Sequence, residues 1–489
     1  MLRRDGLILA NRAFLDHESP RWADSPSSAG SGGLLAAVRP IIQPWDGEAG
    51  TTWIGAGMGR FDREWTDERG FELLETTRGL LRHRRLFFAP PAWQGHYAEV
   101  SNCFLWPLLH LVRYDLPAVT GYYPAPAAPA PADWQAYLAV NTAFADAAAE
   151  ERDAPWCWIH DYQLAVTPGL LRERGFSAPI GFFLHTPFPD LAVAKPYLGE
   201  GGGESFRRVV TGMLGADLLG FQTPADVERF RRAAVEFAGA DDARGGVRFD
   251  GHIVRLRACP VGIDVDDVLD VAKTALTPSR VTAARQAGLP LVVGLERGDF
   301  TKGIPERLRA VAAAFRGGAR FAYLGIAAPT REGVRAYEAL EAAVEAEARA
   351  AREAAVAAGG SFAHVRANVG WPDVVALQRE ADVVFTSSLA DGQNLVPLQA
   401  AVAQSLRPGA DRAVIISGRD AGVSDSFAEF AGKGLAITDP LDADAMHETL
   451  RAALDGAPGR VSDRFVTAVH TRDARWWATE FLASLEGPC

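Results

Sequence analysis

A chain of 489 residues exceeds what one hydrophobic core holds, since cores stop growing at roughly 250–300 residues, and it suits two large α/β domains with a cleft between them. With 48% hydrophobic and 23% charged residues the composition excludes a disordered or fibrous chain. A formal charge of -11 argues against nucleic acid as a partner, so an anionic ligand has to be met by local cations.

The first predicted strand, Leu7–Ala10, follows Met1-Leu-Arg-Arg-Asp-Gly6 directly, with neither the apolar stretch of a signal peptide nor the ~20 residues of a membrane span. A cytoplasmic protein with no membrane partner is expected. Ser28-Ala-Gly-Ser-Gly-Gly-Leu34 is a glycine-rich loop; no Gly-Lys-Ser/Thr closes it into a Walker A sequence, and alone it reads as well as a flexible loop. The proline-alanine tract Pro124–Pro131 excludes a central strand or a helix interior and predicts an extended surface loop, an insertion and not a domain boundary. Strands are predicted over Trp156–Ile159, Ile180–Leu184 and Leu218–Phe221. Cys259-Pro-Val-Gly-Ile-Asp264 then marks an interdomain hinge, dividing residues 1–264 from 265–471, with a last helix over 472–489 packing back on the first domain.

In the second half, strands over Leu291–Leu295, Arg320–Gly325, Ala381–Thr386, Ala413–Ser417 and Leu435–Ile437 alternate with helices. Ile304, Leu308, Val311, Ala312 and Phe315 share one helical face, and Val334–Ala358, rich in Ala and Glu, predicts a long half-solvated helix. This alternation is the signature of βαβ units and parallel sheets. Cys103, Cys157, Cys259 and Cys489 are scattered, which suggests reduced thiols and neither a zinc site nor a disulfide framework.

Chemistry concentrates where predicted strands end. In Gly294–Pro305 a strand delivers Arg297, and Lys302 precedes a helix opened by Gly303 and Pro305, so two cations lie beside a helix N-terminus that favours an anion. The alternative is a surface ion pair of either cation with Glu296 or Asp299. Ser388-Leu-Ala-Asp391-Gly392-Gln393-Asn394-Leu395 follows a second strand of the same sheet; Gly392 lets the backbone approach a ligand and Asp391 can accept hydrogen bonds from sugar hydroxyls, although Asp-Gly is also a common turn. In the first half, Asp161 and His185 each follow an apolar strand. A histidine among aromatics often serves as a structural hydrogen-bonding residue, so His185 stays open between that role and catalysis.

These segments fall in one order. Asn11-Arg12, Gly32-Gly33-Leu34, Tyr97 with Ser101-Asn102 and Leu105-Trp106-Pro107, His160-Asp161-Tyr162, Gly181-Phe-Phe-Leu-His185-Thr-Pro-Phe-Pro189, Leu219-Gly-Phe-Gln-Thr223, Arg297-x-Asp-x-x-Lys302-Gly, Asp391-Gly-x-Asn-Leu395 and Asp473-Ala-Arg-Trp-Trp477 together resemble the trehalose-6-phosphate synthase family over nearly the whole chain. The resemblance implies a GT-B fold, two Rossmann-like domains facing a central cleft. It implies a retaining glycosyltransferase that needs no metal or other cofactor and takes a nucleoside diphosphate sugar and a phosphorylated acceptor as its small-molecule partners. By position, Arg297 and Lys302 would neutralise the departing diphosphate, helped by the Gly33 backbone. Asp391 and the Gly392, Gln393, Asn394 and Leu395 segment would hold the donor sugar, and Gln399 the nucleotide ribose. Asp161, Tyr97 and Trp106 would orient the acceptor, His185 would lie near the reacting sugar, and Arg12 and Arg331 would grip the acceptor phosphate with their forked donors.

Two departures bear on substrate. The family usually places a tryptophan that contacts the acceptor sugar just after its Trp-x-Gly segment, whereas Trp53-Ile-Gly55 is followed here by Ala56. Gln399 stands where the family has a glutamate; it still accepts a hydrogen bond but carries no charge. The expected reaction is glucosyl transfer to glucose 6-phosphate, giving trehalose 6-phosphate. A pseudoglycosyltransferase joining a cyclitol to an aminocyclitol phosphate, a glucosylglycerol-phosphate synthase, and a catalytically silent sugar-nucleotide-binding homologue remain open, as does a homo-oligomer.

Overall fold

Leu7-Ile-Leu9, Ile180-Gly-Phe-Phe183 and Leu291-Val-Val293 show no polar alternation, the pattern of strands buried on both faces of a parallel sheet. The computed structural model describes residues 6–21, 28–29, 33–42, 44, 46, 50–76, 79–331 and 334–487. Residues 1–5, residues 30–32 of the glycine-rich loop, and Cys489 lie outside the described residues. The chain divides into one unit of Met1–Leu111, Ala125–Val261 and Trp477–Cys489, and a second of Val112–Pro124 and Gly262–Trp476.

The first unit contains β1 (Leu7–Arg12), β2 (Leu15–Asp16), β3 (Ser28–Ala29), β4 (Thr52–Ala56), β5 (Phe71–Thr76), β6 (Gly79–Leu86), β7 (Cys157–His160), β8 (Ile180–Phe183), β9 (Leu218–Phe221), β10 (Asp241–Ala243), β11 (Gly246–Phe249) and β12 (His252–Ala258). Among the described residues, β2 and β3 form a separate antiparallel pair, and the rest make a ten-stranded sheet in the order β10-β11-β12-β9-β8-β7-β1-β4-β6-β5. From β12 to β6 neighbouring strands are parallel; β10, β11 and β5 add antiparallel edges. The chain lays β4 and β6 on one side of β1 and then β7, β8, β9 and β12 on the other. Strand order therefore reverses between β1 and β7, and ligands in such sheets bind at the carboxyl ends beside the reversal. From Trp477 on, the last helix packs on β7 and β8: Trp158 lies 4.7 Å from Phe481, and an added Cβ at Gly181 would come 2.6 Å from that ring.

The second unit contains β13 (Leu291–Arg297), β14 (Ala322–Ala328), β15 (Ser361–Arg366), β16 (Val383–Phe385), β17 (Val414–Gly418) and β18 (Leu435–Thr438), all parallel in the order β15-β14-β13-β16-β17-β18. The reversal here falls between β13 and β16. One face is covered by a core including Val268, Leu377, Leu398 and Phe465, the other by one including Ile304, Leu308, Val311, Phe315 and Leu450. Leu308 is fully buried, worth roughly 1.5–3 kcal/mol by transfer from water.

The nine strands expected from the sequence all form, with ends shifted by up to three residues. The long helix is Glu338–Ala358 behind a 3-10 turn at Arg335–Tyr337. Residues 124–130 have no regular structure, and a helix starts at Pro131, where a missing N–H is harmless. The segment Val112–Pro124 belongs to the second unit, held there by Tyr114 Oη on Asp439 (2.6 Å), Tyr122 Oη on Glu306 (2.5 Å) and the ring of Tyr123 against Phe300 (4.7 Å). Between Gln94 and Leu105 the backbone forms a π-helix, a form frequent at functional sites.

Candidate active site

In the second unit β13 is buried until its last two residues, which places Arg297 at the exposed carboxyl end. The chain then turns through Asp299, whose Oδ1 accepts from the amide (3.1 Å) and hydroxyl (3.0 Å) of Thr301 and caps a short 3-10 turn ending at Lys302. Gly303 takes a left-handed conformation (φ 58°), and Pro305 opens the helix Ile304–Arg316. The site is compact because Gly303 has no Cβ: one added there would collide with the Ser387 carbonyl, beyond the end of β16.

From the β16 side, Asp391 forms an ion pair with Lys302 Nζ and accepts from Ser388 Oγ at 3.0 Å. Asn394 (φ 60°) donates to Ser388 Oγ at 3.1 Å, the Gln393 carbonyl accepts from the Val423 amide, and Gln393 Nε2 donates to Ser426 Oγ at 2.9 Å. Gly392, Gln393 and Asn394 are buried and Leu395 is half-buried. Gln399 is also half-buried, its Oε1 accepting from Gln378 Nε2 at 3.4 Å. The carboxylates beside the two cations also have ion-pair partners elsewhere. Glu296 pairs with the buried Arg307, and Asp299 pairs with Arg331, which also donates to Tyr337 Oη at 2.8 Å. Burial opposes the charge of Asp299, but Arg331, Arg297, the Thr301 amide and Lys302 outweigh it and hold the carboxyl well below the usual carboxylate range. Arg331 thus serves the loop that carries Lys302.

In the first unit, Arg12 ends β1 with its side chain 51% exposed, 5.7 Å from the Tyr97 ring centroid and 3.9 Å from Asp16. Trp53 Nε1 donates to the Arg12 carbonyl at 3.0 Å, and Gly55 is required because a Cβ there would strike the same carbonyl; Ala56 is buried beside it in register with Arg12. At the end of β7, Asp161 adopts φ 73°, unusual for a residue with a side chain, and its Oδ1 accepts from the amides of Tyr162 (3.1 Å) and His185 (3.3 Å). His185 Nε2 lies 3.1 Å from His160 Nδ1. Burial pushes the His185 imidazole down to about 3, so at neutral pH it is an uncharged hydrogen-bonding group. Tyr97 rides on the π-helix, with its carbonyl accepting from Asn102 Nδ2 at 2.7 Å; Asn102 Oδ1 accepts from Tyr162 Oη at 3.2 Å, and Trp106 packs against Tyr162 with centroids 5.6 Å apart. Gly33 opens the helix Gly33–Val38.

Each constellation therefore sits at the strand-order reversal of its own sheet. The sequence model of Glycosyltransferase family 20 matches residues 8–487. The chain belongs to glycosyltransferase family 20. It is 29% identical over 516 residues to the trehalose-6-phosphate synthase of Mycolicibacterium gilvum (strain PYR-GCK), covering 99% of this chain and 94% of the relative. It is 26% identical to alpha,alpha-trehalose-phosphate synthase [UDP-forming] 2 of Aspergillus fumigatus, over 98% of this chain and 96% of that one. Among solved structures it is similar to the UDP-forming alpha,alpha-trehalose-phosphate synthase of Burkholderia xenovorans in complex with glucose-6-phosphate, with a TM-score of 0.78, 25% identity, and coverage of 98% of this chain and 100% of that one. The family 20 glycosyltransferase has two Rossmann-like units and the GT-B fold, and it is an enzyme of the transferase class. Among the described residues no helix is long and apolar enough to cross a membrane.

Sequence reasoning singled out the strand-end cations and carboxylates but not the groups that hold them. His160, Ser387, Ser388 and Arg307 were given no role. For Arg307 the signal was a charge on the apolar face of an amphipathic helix, between Gly303 and Leu308, where only a buried partner makes it tolerable.

Proposed function

We propose that this glycosyltransferase moves a glucosyl-type group from a nucleoside diphosphate sugar to a phosphorylated acceptor, most simply glucose 6-phosphate to give trehalose 6-phosphate, without a metal or other cofactor. The observation that carries the proposal is the pair of cations, Arg297 and Lys302, at the carboxyl end of β13, with Asp391 facing Lys302 from beyond β16. In this reading the cations take the charge that develops on the diphosphate as the glycosyl bond breaks, and fixed cations in a partly buried site serve that better than water. The acceptor hydroxyl attacks the anomeric carbon on the face the diphosphate leaves. Its proton passes to a diphosphate oxygen, so one C–O bond forms as another breaks and configuration is retained. No side-chain nucleophile is required.

Asp391 with the Gly392–Leu395 backbone is assigned to the donor sugar, and Gln399 to the ribose. Arg12 is assigned to the acceptor phosphate together with Arg331; Asp161, Tyr97 and Trp106 to the acceptor's orientation; and the neutral His185 to a hydrogen bond on the reacting sugar. Support comes from the relatives, named as UDP-forming trehalose-phosphate synthases, and from the glucose-6-phosphate complex of the Burkholderia xenovorans enzyme. Ala56 and Gln399 favour a second reading, an altered acceptor or transferred group such as glycerol 3-phosphate or a cyclitol. The test is a product assay pairing UDP-, GDP- and ADP-glucose with glucose 6-phosphate and glycerol 3-phosphate, read by mass spectrometry. Trehalose 6-phosphate is expected; a glucosylated glycerol phosphate alone would establish the altered-acceptor form of the second reading, and no product from any pair would count against glucosyl transfer to either acceptor.

A further inference from the structure

Across β13, β14 and β15 one register row reads Gly294, Gly325, His364, so two neighbouring strands present no side chain there. Over Gly294 the space is filled by the guanidinium of Arg307, which comes from the helix Ile304–Arg316 and is fully buried. A Cβ at Gly294 would lie 2.8 Å from Arg307 Nε, and one at Gly325 would collide with His364 and lie 2.8 Å from Tyr323 Oη. Burial works against a charge at this depth, but Glu296 and Tyr323 beside it keep Arg307 protonated. Arg307 Nε donates to Tyr323 Oη at 3.1 Å. Its Nη1 pairs with Glu296, the residue before Arg297, and donates to the Phe385 carbonyl at 3.1 Å and to Ser387 Oγ at 3.3 Å. Ser387 Oγ lies 2.9 Å from both the Lys302 and the Gly303 carbonyls, between which its single proton is shared. The Leu389 amide adds a further tie to the Thr301 carbonyl at 2.7 Å.

One guanidinium thus joins the end of β13, the loop holding Lys302, and the end of β16, from which the chain runs to Asp391. A buried ion pair is weak evidence for stability, since an apolar side chain of similar volume often serves the core as well. What an apolar side chain could not do is fix the two loops by directional bonds. We infer that Arg307, acting through Ser387, is a positioning residue that sets the separation of the loops bearing Lys302 and Asp391, an inference that rests on the diphosphate reading of Lys302. Through these bonds both residues act on where the Lys302 backbone stands.

The test compares Ser387→Ala, Arg307→Met, their double variant and Lys302→Ala, measuring turnover with the best donor–acceptor pair, UDP binding by calorimetry, and melting temperature. Ser387→Ala removes one hydroxyl and should fold even if Arg307→Met does not. Expected are a ~10-fold loss of kcat in Ser387→Ala with its melting temperature within about 2 °C of the parent, an unchanged acceptor KM, a ~100-fold loss in Arg307→Met, and no further loss in the double variant because the same link is already cut. Wild-type kcat and UDP affinity in Ser387→Ala would overturn the inference, as would a loss in the double variant equal to the product of the two single losses. If Lys302→Ala also binds UDP and turns over like the parent, the diphosphate reading itself fails; if only Lys302→Ala is impaired, that reading stands and the positioning role falls.

Discussion

Replacing Arg85 by methionine removes a guanidinium whose side chain has no exposure in the first unit. Its Nη1 lies 2.8 Å from Asp62 Oδ1 and donates to the Leu15 carbonyl at 2.8 Å, while Nη2 and Nε reach Glu72 at 2.9 and 3.2 Å. Asp62 is equally buried and also accepts from the amides of His17 and Gly59, both at 2.8 Å. Arg85→Met therefore takes the shared cation from two carboxylates, leaving Asp62 with its amide donors and Glu72 with His17 Nε2 at 2.7 Å, and breaking a buried pair from one side typically costs about 3–5 kcal/mol. For a unit of this size each kcal/mol moves the midpoint by roughly 2–4 °C, so a drop on the order of 10 °C is expected in thermal unfolding followed by circular dichroism. Adding Asp62→Asn should restore part of the loss, because it removes one of the two carboxylate charges. A drop below about 2 °C, or a double variant whose losses simply add, would refute this account of the cluster. The consequence reaches the site, since the Leu15 carbonyl belongs to β2, whose partner β3 leads into the glycine-rich loop.

Acid should destabilise the protein earlier than its carboxylates alone would require. His96 is fully buried, its Nε2 2.8 Å from Asn11 Oδ1, and burial lowers its imidazole to about 3. The folded state refuses a proton that the unfolded chain accepts below about 6.5, so this contribution is complete above that pH and shrinks by about 1.4 kcal/mol per unit on the way down to about 3. His96→Gln should flatten the dependence of the melting temperature on pH between 6.5 and 4.5; parallel curves for parent and variant would sink the idea. Gly303→Ala forces a side chain into a left-handed conformation and against the Ser387 carbonyl, so a loss of turnover beyond about tenfold is expected, with a melting temperature only a few degrees lower. Turnover at the parental rate would show that the loop tolerates the shift.

Nine of the parallel strands were legible because runs such as Leu291-Val-Val293 are apolar on both faces, and several of them end at polar or glycine residues. Strand β6 was not: Arg82-His-Arg-Arg85 breaks the apolar pattern, and among the described residues its arginines pair with Glu151, Glu150, Asp62 and Glu72, which makes their burial tolerable. Likewise the π-helix that carries Tyr97 has no sequence period of its own, and Val112–Pro124 joins the second unit through three tyrosines whose partners lie some 180 to 325 residues away. At the site, Arg297, Lys302, Asp391, Asp161 and His185 stood out as ionisable residues after apolar strands. Their supports did not, because Ser387 and His160 differ from ordinary polar residues only in what faces them after folding, and the one sign of Arg307 was a charge on the apolar face of its helix. The pairing of Asp299 with Arg331 also lay beyond reach, since both residues had nearer candidates in sequence.

The most direct test of the diphosphate reading is the kcat of Lys302→Ala with the donor–acceptor pair the parent uses best, measured on protein whose melting temperature matches the parent's. A loss of at least ~100-fold is predicted, the scale expected when one fixed group that stabilises transition-state charge is removed. Turnover within twofold of the parent would contradict the account, whatever the identity of the acceptor.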